Sequence, residues 1–211
     1  IGFKPADMLA VLGGLTQNDK LVKLALRGMK FDEPCCLLLS NCIKNCTSLN
    51  EIDMPGSKLG PQGGGIFINQ ILQNLDRFIR VDLRDNELGT ISMLPLSRCL
   101  EDPVCKIHTL YLNENLLENQ GGLMIVNAMK NNKVLTDVDI SKNELTEEVA
   151  LALARVVRGR FEDGRKVENS VIKRLVLNDN DFGREGCAAL IEALTGGLAE
   201  HIEVVRCGAG P

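Results

Sequence analysis

With 211 residues, 24 Lys+Arg against 28 Asp+Glu and a formal charge of −4, the chain lacks the broad basic footprint on which nucleic-acid and anionic-lipid binding rest. Its longest apolar runs, such as residues 35–39, are far short of the roughly 20 residues that span a bilayer, so a soluble protein is expected, with no membrane partner. Eight cysteines spread through a chain long enough to build its own core, 45% of it hydrophobic, predict reduced thiols and a cytoplasmic location.

Residues 1–20 open the chain as the helical half of a preceding repeat or cap. Met8, Val11 and Leu15 precede Leu21 at the same distances at which Cys36, Leu39 and Ile43 precede Leu49. From Leu21 onward, apolar residues at i, i+3 and i+5 recur seven times: Leu21/Leu24/Leu26, Leu49/Ile52/Met54, Phe78/Val81/Leu83, Ile107/Leu110/Leu112, Leu135/Val138/Ile140, Ile172/Leu175/Leu177 and Ile202/Val205/Cys207. The sets are spaced by 28, 29, 29, 28, 37 and 30 residues, a regularity that only a solenoid explains. Each begins with a short strand whose alternate side chains point inward. Behind it, sets such as Cys36/Leu39/Ile43, Met93/Leu96/Leu100, Ala150/Leu153/Val157 and Cys187/Leu190/Leu194, stepped by three and four, mark a helix with one buried stripe. Residues 21–201 thus form six strand–helix repeats and 202–211 the terminal strand of an incomplete one. Because open ends normally need polar capping units, the chain reads as part of a longer array.

Asn86, Asn115, Asn143 and Asn180 stand at i+8, with an apolar residue at i+10. The run Leu110-Tyr-Leu112-Asn-Glu-Asn115-Leu-Leu117 carries the pattern most cleanly, and it resembles the leucine-rich repeat. A strand and a helix every 28 or 29 residues resemble its ribonuclease-inhibitor-like subclass, across essentially the whole chain. That resemblance implies an α/β fold: a right-handed horseshoe with parallel strands on the concave face and helices on the convex face. The four Asn are expected to satisfy backbone groups of adjacent turns, whereas Met29 and Ser57 depart from the pattern in the first two repeats.

No catalytic constellation is present. His108 and His201 lie three repeats apart, with no Cys/His or Ser/His/Asp grouping that a solenoid would assemble. Cys35, Cys36, Cys42 and Cys46 lack the spacing and the imidazole partners of a zinc site and read as small buried hydrophobes, so neither metal nor cofactor is expected. Gly60-Pro-Gln-Gly63-Gly64-Gly65 lacks the Lys-Ser/Thr of a phosphate-binding loop and reads as the tight turn between strand and helix. The excess length of one repeat falls in residues 158–166, expected as a solvated loop on one rim.

What remains is the concave face. Its i+4 column presents Asp53, Asp82, Tyr111 and Asp139; Arg80, Asp137 and Arg174 lie at i+2, and Arg84 and Asn113 at i+6. An exposed acidic column broken by one Tyr and flanked by Arg is expected to bind a protein partner, since Tyr and Arg carry energy at interfaces. The function expected is a non-catalytic recognition or scaffolding module, in a cytoskeletal or regulatory assembly. The alternative is a GTPase-activating protein resembling the Ran-directed family, for which Arg27, Arg84 or Asn115 can be nominated by position alone.

Overall fold

The computed structural model of the chain describes residues 12–16, 18–72, 74, 76–162, 165–167, 171–196 and 204–206. Seven three-residue strands form one parallel sheet: β1 (Lys23–Ala25), β2 (Glu51–Asp53), β3 (Arg80–Asp82), β4 (Thr109–Tyr111), β5 (Asp137–Asp139), β8 (Arg174–Val176) and β9 (Val204–Arg206). Neighbours in the sheet follow chain order. The register aligns Leu24, Ile52, Val81, Leu110, Val138, Leu175 and Val205 in one row, the i+3 positions of the repeat.

Six helices are described: α1 (Glu33–Lys44), α2 (Gly60–Leu72), α3 (Met93–Glu101), α4 (Glu118–Met129), α5 (Glu147–Arg158) and α6 (Gly183–Thr195). They pack on one side of the sheet, each against the next. Local sequence explains their starts. Asp32 caps α1 by accepting a hydrogen bond from the Cys35 N–H at 2.8 Å, and that bond holds its carboxyl below the usual range. Pro95 falls in the first turn of α3, where its missing N–H leaves no helix bond unmade.

Between strands and helices lies one continuous core. Every described ladder residue from Leu49 to Leu177 is buried, as are the predicted helix stripes of α1, α3 and α5. Each such side chain contributes about 1.5–3 kcal/mol, and it does so only because the neighbouring repeat covers it. At the first repeat the burial is thinner, with Leu21 and Leu26 only partly covered. Cys187, expected in the α6 stripe, is half-buried. Met8, Val11, Ile202, Cys207 and His201 lie outside the described residues, whereas Leu12 is buried and Leu15 packs against the core.

The Asn ladder is present in full. Asn115 Oδ1 accepts from the N–H groups of Asn86 at 3.0 Å and Leu88 at 3.4 Å, while its Nδ2 donates to the carbonyls of Leu83 and Leu112 at 2.8 and 2.9 Å. Asn86, Asn143 and Asn180 repeat the arrangement. Ser57 replaces Asn in the second repeat, and its hydroxyl donates to the Leu26 carbonyl at 2.6 Å.

One expectation needs correction. Residues 61–65 are the first turns of α2; only Gly60, with φ +65°, makes the turn. The reason for the glycines is helix packing: a Cβ at Gly63 would sit 2.8 Å from Cys36 Sγ, and one at Gly64 2.3 Å from Leu88 Cδ2. Within the insertion at 158–166, β6 (Arg160–Glu162) and β7 (Arg165–Val167) pair antiparallel, so the expected loop carries a two-stranded hairpin separate from the main sheet.

Candidate functional site

Opposite the helices, the sheet presents its i+2, i+4 and i+6 positions. The register sets Asp53, Asp82, Tyr111, Asp139 and Val176 side by side, and Arg80 beside Thr109 and Asp137 beside Arg174. All nine predicted positions therefore share one face. They do not share one exposure.

Asp53 and Asp82, expected to be presented to a partner, are 1% and 0% exposed. Alternation aims a side chain away from the core but says nothing about what covers it. Here long basic side chains do. Arg27, from the preceding repeat, donates Nε to Asp53 Oδ1 at 3.0 Å and Nη2 to Oδ2, and Lys23 Nζ lies 3.5 Å from Oδ2. Burial pushes the Asp53 carboxyl up, but the hydrogen bonds and charges of Arg27 and Lys23 outweigh it and hold the group below the usual carboxylate range. Arg84 makes the same bidentate fork on Asp82, with Nε to Oδ1 at 2.9 Å and Nη2 to Oδ2 at 2.8 Å. Arg80 approaches the same carboxylate at 3.7 Å.

Tyr111 is half-buried at the centre. The guanidinium carbons of Arg80, Arg84 and Arg174 lie 4.7, 5.6 and 5.9 Å from its ring centroid, within the range where the negative ring face attracts a cation. Arg174 crosses from β8 over β5 to donate Nη1 to the Tyr111 hydroxyl at 3.4 Å. One aromatic ring on β4 thus gathers three cations, two from the β3 repeat and one from β8.

The remaining acids face outward but are engaged locally. Asp139 accepts from the backbone N–H and hydroxyl of Ser141 at 3.1 and 2.6 Å, and Asp137 from the Thr136 hydroxyl at 2.8 Å. Asn113 is half-buried, and its Oδ1 has no hydrogen-bond partner among the described residues. So the face carries Lys23, Arg27, Arg80 and Arg84 over buried aspartates on β1 to β3, with Glu51 paired to Lys23, and is acidic at β5. The covering role of Lys23 and Arg27 was missed from sequence; the signal available was a long basic residue at i+2 or i+6 beside an Asp at i+4.

Elsewhere the chemistry is structural. Burial pushes the Cys35 and Cys36 thiols up to about 11 and about 12, which keeps them protonated. In the buried Cys99–Cys105 pair, a hydrogen bond between the thiols, with burial, raises Cys99, while that same bond lowers Cys105. No group of three or more His, Cys, Asp or Glu side chains able to hold a metal occurs among the described residues. His108 is exposed, its Nδ1 2.7 Å from the Lys106 carbonyl. Asn115, nominated for a GTPase-directed role, is wholly buried in the ladder, and Arg27 and Arg84 are committed to aspartates. No helix among the described residues is long and apolar enough to cross a membrane.

Comparison with known proteins agrees with this geometry. The family model for the Leucine Rich repeat matches residues 168–190. Across 185 residues, 88% of the chain, it is 25% identical to human NACHT, LRR and PYD domains-containing protein 5. It is 26% identical over 126 residues, 60% of the chain, to protein 12 of the same series from Mus musculus, and 27% identical over 148 residues, 61% of the chain, to protein 3 from Bos taurus. The aligned regions span only 11% to 14% of those proteins' lengths. The matched repeat, these relatives and the sheet-and-helix stack all point to the same architecture, an α/β leucine-rich-repeat solenoid.

Proposed function

We propose that the chain is a non-catalytic protein-recognition module, a ribonuclease-inhibitor-like repeat array that binds a folded partner across the open face of its sheet. The observation that carries this reading is Tyr111, a half-exposed aromatic anchor held by three arginines at the middle of an extended surface. Such a surface suits another protein better than a small molecule, because it offers breadth and mixed charge rather than an enclosed apolar pocket. The relatives' names set leucine-rich repeats beside NACHT and PYD domains, and we read this chain as the repeat portion of a comparable multidomain regulatory protein, acting in the cytoplasm within a larger assembly. Its thiols fit that compartment, since the described cysteines are free.

The test is affinity capture from a cytosolic extract on the parent chain and on a Tyr111→Ala variant, with mass spectrometry of the retained proteins. One or a few proteins held by the parent and lost by the variant are expected. Identical retention by both, with the variant shown to be folded, removes the open face as the recognition surface.

A further inference from the structure

We propose that the Tyr111 cluster is a receptor for carboxylates, taking two or three neighbouring Asp or Glu side chains of an acidic segment on the partner protein. This rests on the open face being the recognition surface and specifies the chemistry it recognises.

A guanidinium carries five N–H groups in a rigid fork suited to planar oxyanions. Among the described residues, Arg84 spends two of them on Asp82, Arg174 spends one on the Tyr111 hydroxyl, and Arg80 makes no hydrogen bond, its approach to Asp82 being 3.7 Å. The Arg80 and Arg84 side chains remain 32% and 38% exposed, so both reach the open face. Glu51, beside Arg80 in the register, pairs with Lys23, and the charge of Asp139 reaches Arg84 without a short contact. Asp82 lies beneath with no exposed surface, and among the described residues neither Asp137 nor Asp139 comes within ion-pair distance, 4.0 Å, of any of the three arginines.

The ring explains why the donors stay outward. Arg80 stacks at 4.7 Å from the centroid, which fixes the plane of its fork while consuming no N–H. Arrayed around one tyrosine, the three guanidinia are oriented before any partner arrives, which lowers the entropy cost of binding. Geometry and charge together then select the anion. A phosphate backbone carries a charge on every unit and, running along the sheet, would meet Asp137 and Asp139 on β5 and a chain whose net charge is −4. A short acidic segment covers the arginines and stops there.

Tyr111 also supplies the readout, because the chain has no Trp and no other Tyr, so its ultraviolet emission reports this ring alone. The experiment titrates the whole chain at low salt with hexaglutamate, hexalysine and inorganic tripolyphosphate. Hexaglutamate is expected to change the emission saturably, with affinity falling at least threefold in Arg80→Gln and in Arg174→Gln, and at least tenfold in the double variant. Circular dichroism melts check that each variant is folded, and the single variants decide the question should the double one not fold. Absence of a saturable change, equal affinity in the folded variants, or tripolyphosphate binding as tightly as hexaglutamate overturns the proposal. A silent titration beside Tyr111-dependent capture overturns the carboxylate assignment alone; a silent titration beside Tyr111-independent capture removes the recognition face as well.

Discussion

Arg84 folds back two residues along the chain to grip Asp82 with both Nε and Nη2, and the aspartate side chain beneath it has no solvent-exposed surface while the arginine side chain keeps more than a third of its own. The pair is therefore asymmetric. Removing the arginine strips the carboxylate of both forked hydrogen bonds, whereas removing the aspartate leaves an arginine that can turn into water.

That asymmetry predicts the order of two stability losses. Arg84→Ala should cost about 2 kcal/mol, because the carboxylate loses its two best donors and keeps only the backbone N–H of residue 84, at 3.4 Å, and the more distant Arg80. Asp82→Ala should cost less, under about 1 kcal/mol, as expected for a half-exposed partner that rehydrates. Urea unfolding of both variants checks this, and the reverse order would show that the fork does not hold the carboxylate.

Asp53 gives a pH-dependent counterpart. Its carboxyl is depressed in the folded chain, so it contributes stability that is complete above the ordinary aspartate value of 3.8 and is lost as the pH falls through the lower folded value. Asp32, depressed by its capping bond, acts in the same direction. The urea midpoint of the parent should therefore fall between pH 5 and pH 3, and in Arg27→Ala the part of that fall due to Asp53 should shrink. Equal slopes in parent and variant would mean that Arg27 does not set the Asp53 equilibrium.

Which parts of this were legible beforehand follows from what a repeat encodes. Leu110 and its equivalents in neighbouring repeats align because each must bury itself against the next, so a periodic apolar ladder carries strand order, register and core together. Asn115 was legible for the same reason: a buried amide between turns has one structural use. Asp53 and Asp82 were placed on the correct face but at the wrong depth, since periodicity gives direction and cannot say that Arg27 from another repeat lies on top. The glycines of α2 were misread because a run of Gly resembles a turn, when the constraint was the approach of Cys36 and Leu88.

Asn115 should be the costliest ladder residue to lose. Its amide satisfies two backbone N–H groups and three carbonyls in a site without water access, and Asn115→Ala leaves these stranded. A loss of about 3 kcal/mol is expected, given roughly 1–3 kcal/mol for each buried group left unpaired and some relaxation around it. Asn180→Ala should cost less, because Asn180 is itself only half-buried and water can follow into the space its side chain leaves. Equal losses at both positions would mean that burial does not scale the contribution of this ladder.

Helix packing offers a test in which two glycine-to-alanine changes have opposite signs. A Cβ at Gly186 would meet Ala150 Cβ at 2.8 Å and Glu147 Cα at 3.3 Å, atoms of α5 that no rotamer change can move aside. Gly186→Ala should therefore force α5 and α6 apart and cost about 1–3 kcal/mol. At Gly65, inside α2, a Cβ would have nothing within 4 Å, so alanine adds helix propensity without a clash. Gly65→Ala should stabilise the chain by about 0.5–1 kcal/mol. Thermal melts of the two variants against the parent should shift in opposite directions, and a shift of the same sign in both would show that helix spacing, as opposed to backbone propensity, does not explain the glycines in these helices.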